Sequence, residues 1–246
     1  VINDVPASIQ ITGFSMTPTI EPLGDAAAIV AWRSLDESAA WQAVQNATEQ
    51  LLRQQIDGVL TVVPAFKSLT VFYDCGRLTW KEVERWVAEC LRNTSLASLS
   101  PQRTIEIPVC YDAEFAMDLA GVAEAHALSA DEVVRLHSNA NYVVQMIGFS
   151  PGFPYLAGLP SQLQTPRRTS PRFKVPVGSV AIGGAQTGIY SLETPGGWNI
   201  IGRTPVRLFD PQRDSSCLLR TGDAIRFFAI DRNQFDEFCS TNAGPA

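Results

Sequence analysis

From Gly148 to Asp223 the chain carries a glycine or a proline every few residues, set between short apolar runs, and this punctuation narrows the possible folds most. Proline lacks the amide a helix interior needs and clashes with the preceding turn, while glycine adds backbone entropy to the cost of ordering. The segment therefore predicts short strands joined by ordered loops, as in a β-barrel or sandwich. The run Ala224 to Ile230 reads as a closing strand, and Asp231 to Cys239 as a final short helix.

The first hundred residues have a different texture. Ile9 to Phe14 and Ala27 to Trp32 are strand-like, and Ser34-Leu35-Asp36-Glu37 has the form of a capping box, in which a hydroxyl and a carboxylate satisfy orphan amides at a helix start. Trp41, Val44, Thr48, Leu51 and Leu52 then recur at helical spacing to about Gln55. Val59 to Val63 and Leu69 to Tyr73 predict two strands joined by a short turn. A second box, Thr79 to Glu82, opens a helix whose apolar face is Trp80, Val83, Val87, Cys90 and Leu91. The order β-β-α-β-β-α predicts a small two-layer α/β sandwich with its helices on one sheet face.

Asn93 to Arg103 is rich in Ser, Thr and Asn without a period and reads as a linker. Domains are accordingly expected at 1–95 and 104–246, and the fold class is α+β. Within the second, Ile105 to Cys110 is a strand, and Phe115, Leu119, Val122 and His126 share one helical face. A third capping box, Ser129 to Glu132, starts a helix ending near His137 to Asn139, and Tyr142 to Ile147 is a buried strand.

Of the 246 residues 46% are hydrophobic, enough for a real core, and the net charge is −6 with no Lys/Arg-rich run. Nucleic acid and anionic membranes are therefore poor partners. The longest apolar runs fall far short of the roughly 20 residues that span a bilayer, so a soluble chain is expected. Five widely spaced cysteines, with no C-x-x-C pair, predict reduced thiols and no zinc knuckle. With only two histidines, no metal is expected in this chain. The sequons at Asn46 and Asn93 read as chance matches because no signal peptide is apparent, and a cytoplasmic setting is expected.

Gly148-Phe149-Ser150-Pro151-Gly152 fits the G-x-S-x-G nucleophile elbow. That motif must run into a helix, and Pro151, Pro154, Gly158 and Pro160 forbid one, so Ser150 is discounted as a nucleophile. His126 reads as structural. His137 lies near a helix C-terminus, where the dipole would raise its pKa; it is either a proton carrier or a capping histidine. Between Pro166 and Thr204 stand Arg167, Arg168, Arg172, Gln186, Tyr190, Trp198 and Arg203 on loops fixed by glycine and proline. This chemistry suits a planar carboxylate or phosphoryl group together with an amide. The competing reading makes the glycines and prolines barrel corners and the arginines surface groups. No general base sits in the stretch, so a partner is expected to complete any site.

Tyr142 to Pro160 (YVVQMIGFSPGFPYLAGLP), the segments Val175 to Val180, Gln186 to Tyr190, Pro195 to Trp198 and Ile201 to Pro205, and finally Leu218 to Asp223 resemble the allophanate hydrolase subunit 1 family. That family includes the B-type chains of 5-oxoprolinase and the sporulation-kinase inhibitor KipI. The resemblance implies a cyclophilin-like β-barrel preceded by a smaller α/β domain. It also implies partners: the C-type chain of 5-oxoprolinase, of the allophanate hydrolase subunit 2 family, and the A-type chain. Such a complex uses ATP to open 5-oxo-L-proline, giving L-glutamate, ADP and phosphate, with the single chain inactive alone. The alternatives it leaves are inhibition of a sensor histidine kinase and membership of a urea- or allophanate-metabolising carboxylase-type complex. Allophanate hydrolysis itself is not expected, since the chain has no amidase Ser-Ser-Lys arrangement. From residue chemistry and place in these motifs, His137, Arg203 and Gln186 are the catalytic candidates, His137 as proton shuttle. Arg203, Arg172 and Arg167 are expected to clamp an anion, Gln186 and Tyr190 to read an amide or carboxylate, and Trp198 to form a packing wall. Phe149 and Gly152 complete the expected substrate contacts.

Overall fold

The computed structural model describes residues 17–92 and 103–242. The strand expected at Ile9 to Phe14 and all of the expected linker but Arg103 lie outside them. Contacts divide the chain into two compact units, Val1–Leu99 and Ser100–Ala246.

The first unit runs β1 (Thr19–Pro22), β2 (Ala27–Ala31), α1 (Glu37–Arg53), β3 (Val59–Pro64), β4 (Ser68–Tyr73) and α2 (Trp80–Leu91). Its sheet has the order β1-β2-β4-β3 with every pair antiparallel. Alternation along β4 turns Leu69, Val71 and Tyr73 inward, where Leu51 of α1 and Val83 and Val87 of α2 meet them in one core. Helix α1 begins later than the expected box. Its cap is Asp36, whose carboxylate accepts from Ala39 N at 2.9 Å; an acceptor directly before the first helical residue reaches that amide, whereas Ser34 stands outside the helix. The Thr79 box does form, with Thr79 N donating to Glu82 Oε2 at 2.8 Å.

The second unit is a closed barrel with helices packed on it. Its strands are β5 (Thr104–Cys110), β6 (Asn141–Ile147), β7 (Pro154–Ala157), β9 (Ser179–Gly183), β10 (Gln186–Ile189), β12 (Asn199–Arg203) and β13 (Ala224–Ile230), with β8 (Arg172–Val175) and β11 (Thr194–Gly196) forming a separate two-stranded ribbon. Around the barrel the order is β10-β7-β6-β13-β5-β12-β9. The pair β5–β13 is parallel and in register from Thr104↔Ala224 to Cys110↔Ile230; the other barrel pairs are antiparallel. Beside this seam Arg103 Nε donates to the buried Asp223 carboxylate at 2.8 Å. Inward side chains such as Ile107, Val144, Leu156, Val180 and Ile201 fill the interior.

Among the described residues three α-helices accompany the barrel: α3 (Leu119–Ala125), α4 (Ala130–Ser138) and α5 (Arg232–Asn242). Helix α3 is shorter than the apolar spacing predicts. Phe115 lies in the turn before it and packs on Phe235 of α5 with ring centres 4.6 Å apart, and His126 caps its C-terminus. Helix α4 keeps its box, Ser129 N donating to Glu132 Oε2 at 2.8 Å and Glu132 N to Ser129 Oγ at 3.2 Å. It places Val133 and His137 in the barrel core. Among the described residues no helix is long and apolar enough to cross a membrane.

Candidate functional site

Five aromatic side chains of the second unit converge on a cavity of about 180 Å³. Phe149 comes from the turn between β6 and β7, Phe153 from just before β7 and Tyr155 from within it, Tyr190 from just after β10, and Trp198 from just before β12. Phe153 is the hub. Its ring meets Tyr155, Tyr190 and Trp198 edge-on, with centres 5.0, 5.3 and 5.6 Å away. Two glycines make room for the cluster: a Cβ at Gly183 would enter the Trp198 ring, and one at Gly196 would strike the Tyr190 hydroxyl. Phe149 is held at φ 68°, a left-handed conformation that a bulky residue rarely adopts, and the residue is 61% exposed.

The loop from Thr165 to Pro171 adds Arg167, Arg168 and Pro171 to the lining. The Arg167 guanidinium stands 5.6 Å over the Trp198 ring, an attraction of about 0.5–2 kcal/mol depending on desolvation. Among the described residues no carboxylate pairs with it. Its neighbours are engaged. Asp118 accepts from Arg172 Nη1 and Nη2 at 2.9 and 2.8 Å and from Arg168 Nη1 at 2.9 Å. The same carboxylate takes Ile200 N at 2.7 Å, and Asp118 N donates to Ile200 O at 2.8 Å. Asp118 thereby fastens the arginine loop and β8 to β12. Three arginines against one carboxylate leave the wall cationic in a chain of net charge −6. Burial pushes the Tyr190 hydroxyl above its ordinary pKa, partly offset by a hydrogen bond from the Trp198 backbone and by the charge of Arg167. Burial likewise raises Tyr155.

Of the residues expected from sequence, Phe149, Arg167, Tyr190 and Trp198 meet here. The others stand elsewhere. Arg172 is held in a bidentate pair by Asp118, so clamping an external anion would require breaking that pair. Gly152 does not line the cavity; at φ +75° it lets the chain pass Phe209, whose Cβ would lie 2.9 Å from a side chain there. Gln186 donates to Gln145 Oε1 at 3.1 Å. Arg203 lies at the far end of β12 from Trp198, in a second cavity. Ser150 is followed by strand β7, not by a helix, and its Oγ is 3.4 Å from Ser191 Oγ.

The expected upward shift of His137 is reversed. The side chain is fully buried in the barrel core, and desolvation lowers its pKa to about 3. Burial disfavours the charged imidazolium far more than the helix terminus favours it. Both ring nitrogens are occupied, Nδ1 by Tyr111 Oη at 2.8 Å and Nε2 by Thr187 Oγ1 at 3.0 Å. The carbonyl of His137 is capped by the Tyr142 hydroxyl at 2.8 Å.

Sequence reasoning missed Asp118, Phe153 and Tyr155 as site residues. The alternating Phe153-Pro154-Tyr155 signals a strand whose odd positions share a face; nothing near Asp118 in the chain marks its role. Among the described residues no group of three or more His, Cys, Asp or Glu side chains is placed to hold a metal ion.

The pattern of the family described as carboxyltransferase domain, subdomain C and D, matches residues 18–219. The chain is 40% identical over 229 residues to the 5-oxoprolinase B-type chain of Bacillus subtilis (strain 168), covering 89% of this chain and 95% of that protein. It is 45% identical over 192 residues to the 5-oxoprolinase B-type chain of Escherichia coli O157:H7, covering 75% and 85%. Among solved structures, TTHA0988 superposes with a TM-score of 0.73 at 37% identity over 83% of this chain, which spans only 40% of that longer polypeptide.

Proposed function

The chain belongs to the family of the carboxyltransferase domain, subdomain C and D, and from that premise we propose that it is the B-type component of an ATP-dependent 5-oxoprolinase. The observation that carries the reading is Arg167, stacked 5.6 Å over Trp198 beside an aromatic cavity and without a carboxylate partner among the described residues. A guanidinium presents two parallel donors that match a carboxylate, and 5-oxo-L-proline is a small flat ring bearing one. In this reading Arg167 binds the carboxylate while Trp198 and Phe153 face the ring, and Tyr155 and Tyr190, kept protonated by burial, donate hydrogen bonds.

An unstrained lactam is a poor electrophile. Transfer of the γ-phosphoryl group of ATP to its oxygen releases ADP and activates the carbonyl carbon; one water adds there and the ring C–N bond breaks to give γ-glutamyl phosphate with a free amine, and a second water hydrolyses that acyl phosphate to L-glutamate and phosphate. Cations must offset the phosphoryl charge. The residues lining the cavity are aromatic, arginine, proline and glycine, so the chain supplies binding and positive charge, and the general base and the ATP site come from the partner chains of C and A type. His137 acts in this reading by position: its bond to Thr187 steadies β10, which leads directly into Tyr190. A cytoplasmic complex is expected.

The test is glutamate release from 5-oxoproline and ATP, with this chain alone and mixed with its candidate C-type and A-type partners. Turnover only in the complete mixture supports the reading. So does an Arg167→Ala chain that raises KM by about tenfold or more, as loss of a charge-assisted bidentate pair predicts, with a smaller change in kcat. An inactive complete mixture, or an Arg167→Ala chain with unchanged KM, overturns it.

A further inference from the structure

A second cavity, of about 410 Å³, opens where β12 ends. Arg203 closes that strand, while Trp198 precedes its first residue. Trp198 and Arg203, one in each cavity lining, are thus five residues apart on extended chain, about 16 Å at roughly 3.3 Å per residue. Phosphoryl transfer needs reacting atoms about 3–3.5 Å apart, so a phosphate held by Arg203 is not the one transferred to a molecule held by Arg167.

Arg203 is fixed but incompletely paired. Its Nε donates to Val177 O at 2.8 Å, and its guanidinium centre lies 5.6 Å from the Phe115 ring and 6.0 Å from the Phe235 ring. No carboxylate among the described residues reaches its terminal nitrogens. Arg232, which packs on the same two rings, shows the contrast, since Glu114 and Asp236 both pair with it. Arg207, also in the lining, stands 3.6 Å from Asp210, beyond hydrogen-bond length, and Asp210 is shared at the same distance with Arg213. Arg203, with free terminal donors, and Arg207, in a long 3.6 Å ion pair with Asp210, therefore adjoin an apolar wall of Val177, Val206 and Phe235, while Asp236 in the same lining is held on Arg232.

We propose that this cavity is a ligand site for an organic phosphate, with the phosphate oxygens on Arg203 and Arg207 and an apolar or flat remainder against Val177, Val206 and Phe235. A carboxylate has two oxygens and is satisfied by one fork. A phosphate monoester carries close to two charges and three acceptor oxygens at neutral pH, and so engages both. The site does not depend on the reaction proposed for the aromatic cavity.

The experiment titrates the full chain calorimetrically with phenyl phosphate, inorganic phosphate and benzoate. Phenyl phosphate is expected to bind about tenfold more tightly than either of the others, because only it presents both the dianion and the flat apolar group. Arg203→Ala and Arg207→Ala should each weaken it about tenfold, as loss of charge-assisted hydrogen bonds predicts, and Arg167→Ala should leave it unchanged. Because Arg203 also packs on two rings, the exposed Arg207 keeps the test valid if Arg203→Ala fails to fold. No binding, equally tight binding of benzoate that is likewise lost in Arg207→Ala, indifference of phenyl phosphate to Arg207→Ala, or loss of its binding in Arg167→Ala each overturns the proposal.

Discussion

Thr187 Oγ1 lies 3.0 Å from His137 Nε2 and donates its own proton to Ala181 O, also at 3.0 Å. With its hydrogen engaged, the hydroxyl can only accept from the ring, so Nε2 carries the imidazole proton and Nδ1 accepts from Tyr111 Oη. The histidine is therefore neutral and held in one tautomer. A second proton, on Nδ1, would confront the Tyr111 hydroxyl inside the core.

Stability should consequently fall in mild acid. The native pKa of about 3 lies below the ordinary 6.5, so between these values the unfolded chain binds a proton that the native chain does not. Stability is complete above about pH 6.5 and declines as pH drops toward 3, with a loss from this group of about 2 kcal/mol by pH 5. Urea unfolding at pH 7.5 and 5 measures it. His137→Gln should remove about that much of the pH dependence; an unchanged slope would contradict the assignment.

Replacing Asp118 should loosen the arginine loop. Asp118→Ala leaves Arg168, Arg172 and the Ile200 amide without their shared acceptor. Both arginines are partly exposed, so the cost falls below that of a fully buried pair, at about 2 kcal/mol. Denaturant midpoints give that figure. In the assembled complex, KM should rise more than kcat falls, because Arg167 loses its anchored neighbours.

At Phe149 two substitutions separate backbone strain from ring contacts. Glycine accepts φ 68° freely and alanine does not, so Phe149→Gly should be more stable than Phe149→Ala by about 1 kcal/mol. Both remove the edge contacts to Phe153 and Tyr190, and both should weaken binding in the aromatic cavity. Paired urea titrations and substrate saturation curves report the two effects.

Gly183→Ala should destabilise the second unit by about 1–3 kcal/mol, since the added methyl must displace the Trp198 ring. A shift in tryptophan emission should accompany it. Gly121→Ala is the counterpart. It sits in α3 with nothing within 4 Å of its Cβ position, and should gain about 0.5–1 kcal/mol from helix propensity.

Features set by residues three or four apart were legible in the chain. The Thr79 and Ser129 boxes are such features; the glycine and proline punctuation, read locally, predicts short strands in a barrel or sandwich, and the strands close into a barrel. The Ser34 box failed because Asp36 offers the same acceptor closer to the helix. What stayed hidden depends on distant closure. Asp118 meets partners 50, 54 and 82 positions away. The helix position of His137 was visible, but its burial exists only once β10 and β13 enclose it, with Thr187 on one side and Phe227 stacked 4.7 Å away on the other. The arginines looked like one cluster because they are close in sequence, yet an extended β12 holds Trp198 and Arg203 apart.

The parallel seam of β5 and β13 also constrains how the protein is made on the ribosome. The strand that opens the barrel waits for the one that ends it, since Thr104–Cys110 finds its full-length partner only in Ala224–Ile230 and meets β12 at a single register pair. Closure over so long a separation comes late and slowly. Until Ile230 has cleared the exit tunnel, β5 and β6 both present bare edges, and a nascent chain stalled before that point offers them to its neighbours.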